Sequence, residues 1–166
     1  MTFTLYLLRH AKTVPGRIDL EDFERPLMEQ GIEKAQKLKD HLQQEQVAFD
    51  HVYCSSAVRT RQTLEHVLPD YAGEVSYLRE LYHASAQVML DTLHLTPPGA
   101  AQVLMVGHNP GISQLAVGLA RRGETSLVRS IAMGYSPCTC ATFQFDCASW
   151  QEVGIENSSI TGLWTA

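Results

Sequence analysis

Three short apolar runs, each stopped abruptly by polar residues and followed by helical spacing, limit what this chain can fold into. Phe3 to Leu8 breaks off at Arg9 and His10, Phe49 to Cys54 at Ser55 and Ser56, and Gln102 to Val106 at Gly107, His108 and Asn109. Runs that stay apolar throughout, rather than alternating, mark strands covered on both faces. Between them, Glu29 to Gln44 sets Ile32, Ala35, Leu38 and Leu42 three and four residues apart among charged and amide side chains, which predicts an amphipathic helix. Ser55 and Ser56 offer N-cap chemistry to a second helix through Val58, Leu64 and Val67, ending at Pro69. A short strand at Val75 to Leu78 precedes a third helix from Ala86 to His94, capped by Ser85, and helical spacing resumes from Ile112 to Ala120. Strands alternating with helices predict an α/β fold, a three-layer α/β/α sandwich with a mainly parallel central sheet.

The C-terminal part changes period. Ala141, Phe143 and Phe145 alternate, a turn follows at Asp146 to Ser149, and Trp150 to Val153 reads as a second strand, so the expectation is an antiparallel hairpin at the sheet edge. Val14 to Pro26 has two prolines, a glycine and several acids without period, which reads as a long loop, of a kind usually functional or mobile, closed by Arg25-Pro26-Leu27. With no internal repeat or linker, residues 1–166 read as a single domain.

A chain with 45% hydrophobic and 19% charged residues can bury a core, and a net charge of −5 argues against nucleic acid as partner. The N-terminal apolar run is too short to span a membrane and has neither basic leader nor cleavage motif, so a cytoplasmic protein is expected. Cys54, Cys138, Cys140 and Cys147 fit no zinc spacing and read as four reduced thiols.

In open parallel sheets, ligands bind beyond the carboxyl ends of the strands. Here those ends hold Arg9 and His10, Ser55 with Arg59 close behind, and His108 with Asn109. Guanidinium forks, imidazoles and helix N-termini together suit a phosphate-sized anion. With neither a Walker glycine loop nor a carboxylate cluster for magnesium, phosphoryl oxygens would be neutralised by side-chain cations, and a histidine can serve as nucleophile without metal or cofactor.

The stretches Leu8-Arg9-His10-Ala11, Arg25-Pro26-Leu27, Ser55 through Thr63 and Val106-Gly107-His108-Asn109-Pro110 together resemble the histidine phosphatase superfamily, also called phosphoglycerate mutase-like. The short chain and its Arg-Pro-Leu loop make it similar to the small SixA-like phosphohistidine phosphatase branch. The resemblance implies that His10 is the nucleophile, that Arg9 and Arg59 bind phosphoryl oxygens, and that His108 in its charged form hydrogen-bonds the phosphoryl group. Arg25 matches the arginine of the small-branch loop. Glu80 falls where many members have an acid/base, although an imidazole leaving group needs little help from one. Asn109 would join the phosphate site, and Ser55 is open to phosphate contact or helix capping. Ala11 departs from the superfamily's usual glycine. The implied partner is a phosphorylated protein such as a histidine phosphotransfer domain, with small phosphate esters or catalytically silent phosphate binding as alternatives. Oligomeric state is left open, a monomer being compatible with every feature read.

Lys12 and Arg61 read as solvated charges. His41, His51, His66 and His94 read as surface or satisfied histidines, and so does His83, although its loop borders the pocket. Tyr82, Trp150 and Trp164 read as packing aromatics.

Overall fold

A computed structural model describes residues 2–166. Strands β1 (Phe3–Arg9), β2 (His51–Ser55), β3 (Val75–Leu78), β4 (Gln102–Gly107), β5 (Cys140–Phe145) and β6 (Ser158–Trp164) form one sheet in the order β3-β2-β4-β1-β5-β6. The first four are mutually parallel and β5 and β6 add an antiparallel hairpin. Helices α1 (Glu29–Gln44) and α2 (Val58–Val67) cover one face, and α3 (Ala86–His94), α4 (Gly111–Leu119) and α5 (Thr125–Met133) the other. The expected three-layer sandwich is therefore present.

The period-two geometry of a strand divides its side chains between the two layers. Leu104 and Val106 of β4 join Ala35, Leu38 and Leu64, while Val103 and Met105 join Met89, Leu93, Ile112 and Leu115. Each such fully buried aliphatic side chain contributes about 1.5–3 kcal/mol. The β1–β4 register, with Arg9 opposite Gly107, brings the polar ends of the two central strands level.

Three expectations need correction. Trp150 to Val153 is not a strand: Trp150–Glu152 is a turn of 3₁₀ helix, and the hairpin's second strand is Ser158–Trp164. The turn forms because the indole is drawn into the core, where Nε1 donates to Ala100 O at 2.7 Å and the ring packs edge-on against Phe3. Asn157 closes the loop behind it, accepting from Gly154 N at 3.0 Å and donating to Glu152 O at 2.8 Å. Second, neither Ser55 nor Ser56 caps α2, whose N-cap is Ala57 with no side-chain cap bond; the Ser85 cap on α3 does form. Third, α5 has no counterpart among the expected elements; it buries only Ile131.

Cys54, Cys138 and Cys140 are buried free thiols, with the Cys138 thiol pushed up to about 12 by burial. His51 is buried and bonded to Ser76. Among the described residues no helix is long and apolar enough to cross a membrane.

Candidate active site

The strand order β2-β4-β1 sets three carboxyl ends side by side. His10, just past β1, donates its backbone N–H to Gly107 O at 3.1 Å, and its ring lies 5.2 Å from that of His108, just past β4. Ser55, the last residue of β2, has its hydroxyl 2.7 Å from His108 Nε2. Ser55 thus serves the histidine rather than the helix. Arg59 enters from the first turn of α2, with its side chain only 5% exposed.

His10 Nδ1 lies 2.8 Å from Ala11 O. A carbonyl oxygen can only accept, so Nδ1 holds the proton and Nε2 is left as the basic nitrogen. Burial lowers the His10 pKa to about 4, partly opposed by the Ala11 bond and reinforced by Arg59, Arg9 and Arg25. His108 is lowered to about 2, by burial first and then by Arg59, His10 and His83. In the free protein both imidazoles are therefore neutral, and the charged His108 that the resemblance implies requires an anion in the pocket. His108 Nδ1 is buried with no partner among the described residues.

A third contributor comes from the long loop. Asp22 accepts from Arg59 through both its backbone and its carboxylate, at 2.6 and 3.0 Å, and from Arg25 Nη1 at 2.8 Å and Tyr82 Oη at 2.6 Å. His83 Nε2 stands 3.4 Å from the same carboxylate. The Tyr82 hydroxyl first, with Arg25 and Arg59, holds the Asp22 carboxyl well below its usual range. Arg25 is further anchored on Thr13 Oγ1 at 2.6 Å and Val14 O at 3.0 Å. Asp22 and Tyr82 were missed in the sequence. Tyr82, expected as packing, has its ring 5.0 Å from Phe23 and 5.4 Å from His108, beside the Arg59 guanidinium. The available signal was an acid three residues before Arg25.

Arg9 donates from Nη1 to Tyr135 O at 2.9 Å, and Asn109 Nδ2 donates to the same carbonyl at 3.0 Å. Glu80 sits exposed on the 3₁₀ turn Arg79–Leu81 and has no hydrogen bond or ion pair linking it to the two histidines among the described residues. Lys12 and Arg61 are exposed, the latter lying over the Tyr77 ring. No group of three or more His, Cys, Asp or Glu side chains among the described residues is arranged to hold a metal ion. A groove of about 590 Å³ between α1 and β5–β6, toward the amino ends of β1 and β4, has no Arg or Lys in its lining.

Two histidines, three arginines and a carboxylate at the carboxyl rim of a parallel sheet define a phosphoryl-handling α/β enzyme. The family model of the histidine phosphatase superfamily (branch 1) matches residues 5–93, more than half of the chain, and the chain belongs to that superfamily. The chain is a phosphatase, and its fold matches that of small SixA-like proteins. An uncharacterized protein of Mycobacterium tuberculosis is 36% identical over 114 residues, 68% of this chain and 70% of that one. A candidate phosphohistidine phosphatase SixA from Nakamurella multipartitia superposes with a TM-score of 0.84 at 27% identity, over 99% of this chain and 96% of that one. The protein histidine phosphatase SixA complexed with tungstate shares the fold, with a TM-score of 0.78 at 22% identity over 97% and 96% of the two chains.

Proposed function

We propose that the protein is a metal-independent phosphohistidine phosphatase that transfers the phosphoryl group of a phosphorylated protein to His10 Nε2. The observation that supports this most is the Nδ1–Ala11 bond, which fixes the tautomer and leaves a basic Nε2 beside three guanidiniums. In the first step a bond forms between Nε2 and phosphorus while the bond to the substrate's imidazole nitrogen breaks, and that imidazole leaves after taking up a proton. In the second, water attacks the phosphohistidine, inorganic phosphate leaves, and neutral His10 is restored. Arg9, Arg59 and Arg25 offset the charge on the phosphoryl oxygens, and the incoming negative charge raises His108 toward its protonated, donating form.

Because imidazole is a good leaving group, the exposed Glu80 need not take part. Asp22, kept ionised by Tyr82, Arg25 and Arg59, offsets pocket charge rather than carrying the proton, which solvent supplies to the leaving imidazole. A histidine phosphotransfer domain fits as partner because its phosphorylated imidazole is borne on a helix surface.

The test is turnover of a phosphohistidine peptide against a panel of small phosphate esters with EDTA present, together with a quench that preserves acid-labile phosphoenzyme. Turnover of the peptide and a trapped phosphoenzyme are expected, both abolished in His10→Ala. Preference for an ester would reassign the substrate class, a divalent-metal requirement would overturn the metal-independent step, and a phosphoenzyme surviving in His10→Ala would displace His10.

A further inference from the structure

We infer that Tyr135 is a positioning residue that tethers Arg9 in the pocket before any substrate arrives. This rests on the reading above that Arg9 binds phosphoryl oxygens. Tyr135 lies after α5, outside the stretch that matches the family model, and it adjoins no motif residue in sequence. Its carbonyl is the acceptor for both Arg9 Nη1 and Asn109 Nδ2, at 2.9 and 3.0 Å, so one oxygen ties the last residue of β1 to a side chain just past β4. No other hydrogen bond to a protein group holds the Arg9 guanidinium among the described residues, and Arg9 Nε is buried without a partner.

What fixes that carbonyl is the side chain of the same residue. The phenol is buried at 3% exposure; its O–H donates to Leu7 O, and its oxygen accepts from Ala141 N at 3.0 Å. Leu7 and Ala141 are cross-strand partners in the β1–β5 register, so the phenol is built into the ladder two residues before Arg9. The segment is clamped again further on, where Cys138 N donates to His10 O at 3.0 Å and Arg9 N donates to Thr139 O at 3.1 Å. Phenylalanine would fill the same volume but would break both bonds to the strands.

The tether has work to do because Arg9 is partly buried and feels the like charge of Arg59. Unanchored, the Arg9 side chain gains both rotamer freedom and hydration by turning outward, and binding then has to recover that cost. A carbonyl acceptor holds the guanidinium without neutralising it, so its remaining N–H groups stay available to an anion.

The experiment combines tungstate calorimetry, steady-state kinetics on the phosphohistidine peptide, and NMR of the Arg9 guanidinium in the free wild-type protein. Tyr135→Phe is expected to weaken tungstate binding by about tenfold, the worth of one hydrogen bond to a charged group. KM should rise more than kcat falls. In an Arg9→Ala background Tyr135→Phe should add nothing to either loss, because the tethered group is already gone. An equal further loss in that background, or an unchanged tungstate affinity, overturns the proposal. Should Tyr135→Phe fail to fold, the NMR decides: hindered rotation of the Arg9 guanidinium supports the tether and free rotation sinks it. Wild-type protein that neither binds tungstate nor turns over the peptide would sink the phosphatase reading instead, and the NMR result would still judge the tether.

Discussion

At the residue scale, His10 combines two features that pull its basicity in opposite directions. Burial and the neighbouring arginines lower its pKa to about 4, while its Nδ1 bond to Ala11 O supports the protonated ring. The imidazole is therefore an available nucleophile throughout the neutral range. The acid limb of kcat/KM that reports His10 should lie near pH 4 rather than near 6.5, and NMR titration of the ring should agree. Arg59→Ala removes a like charge and should move that titration upward; no movement would show that Arg59 does not act on His10. Asp22 works the other way on the pocket as a whole. Its carboxylate offsets part of the positive charge and engages Arg59 and Arg25 directly. Asp22→Asn should strengthen inhibition by inorganic phosphate about fivefold, equivalent to roughly 1 kcal/mol for a half-exposed charge near the surface. Weaker inhibition in an inhibition assay would mean that Asp22 chiefly orients the arginines.

At the scale of elements, the site depends on how closely helices abut the loops between strands. Gly111 opens α4 three residues after His108, and a Cβ there would lie 1.9 Å from Ala84 O, a backbone atom that cannot turn aside. Gly111→Ala should cost about 1–3 kcal/mol in denaturant unfolding and should lower turnover, because α4 can retreat only by carrying the His108 turn with it. Gly154→Ala, which meets nothing within 4 Å, is the control and should be close to neutral. The same packing explains what was legible in the sequence. Arg9, His10, Arg59 and His108 could be read because buried parallel strands announce themselves as unbroken apolar runs, and the polar residues that stop them mark the rim. The amphipathic α1 showed equally clearly. By contrast, α5 fully buries only Ile131, with Leu127 and Val128 half-buried beside it, and this short apolar face was not read as a helix. Trp150 looked like a strand residue because an aromatic in an apolar context suits a strand locally, and only the distant Ala100 carbonyl turns it into the core. Asp22 and Tyr82 meet across 60 residues, and the Tyr135 carbonyl acts through the backbone, which leaves no residue-type signature.

For the whole molecule, the pocket's polarity runs against the chain's. Net charge is −5, yet the rim holds three arginines and two buried, neutral histidines, and this arrangement makes folding depend on pH in a calculable direction. An unfolded chain protonates His10 and His108 near 6.5, while the folded chain protonates them only near 4 and 2. As pH falls below 6.5 the unfolded state alone takes up these protons, so stability present at neutral pH is lost, by about 1.4 kcal/mol per pH unit for each group. His51, also lowered by burial, adds in the same sense. Asp22 does not act in this window: its folded pKa is depressed, so its contribution persists above the ordinary carboxylate pKa and fades only as pH falls through lower values. A bound oxyanion should reverse the histidine effect. Its charge raises both imidazole pKa values toward the unfolded value, and at a hundred times its Kd it adds about 2.7 kcal/mol through binding alone. Denaturant unfolding at pH 7, 6 and 5 should therefore show a steep loss of stability in free protein, a shallower one with tungstate, and in His10→Ala a slope reduced by about one proton. A His10→Ala slope equal to that of wild type would mean that His10 is already protonated in the folded pocket, and a protonated ring cannot be the nucleophile.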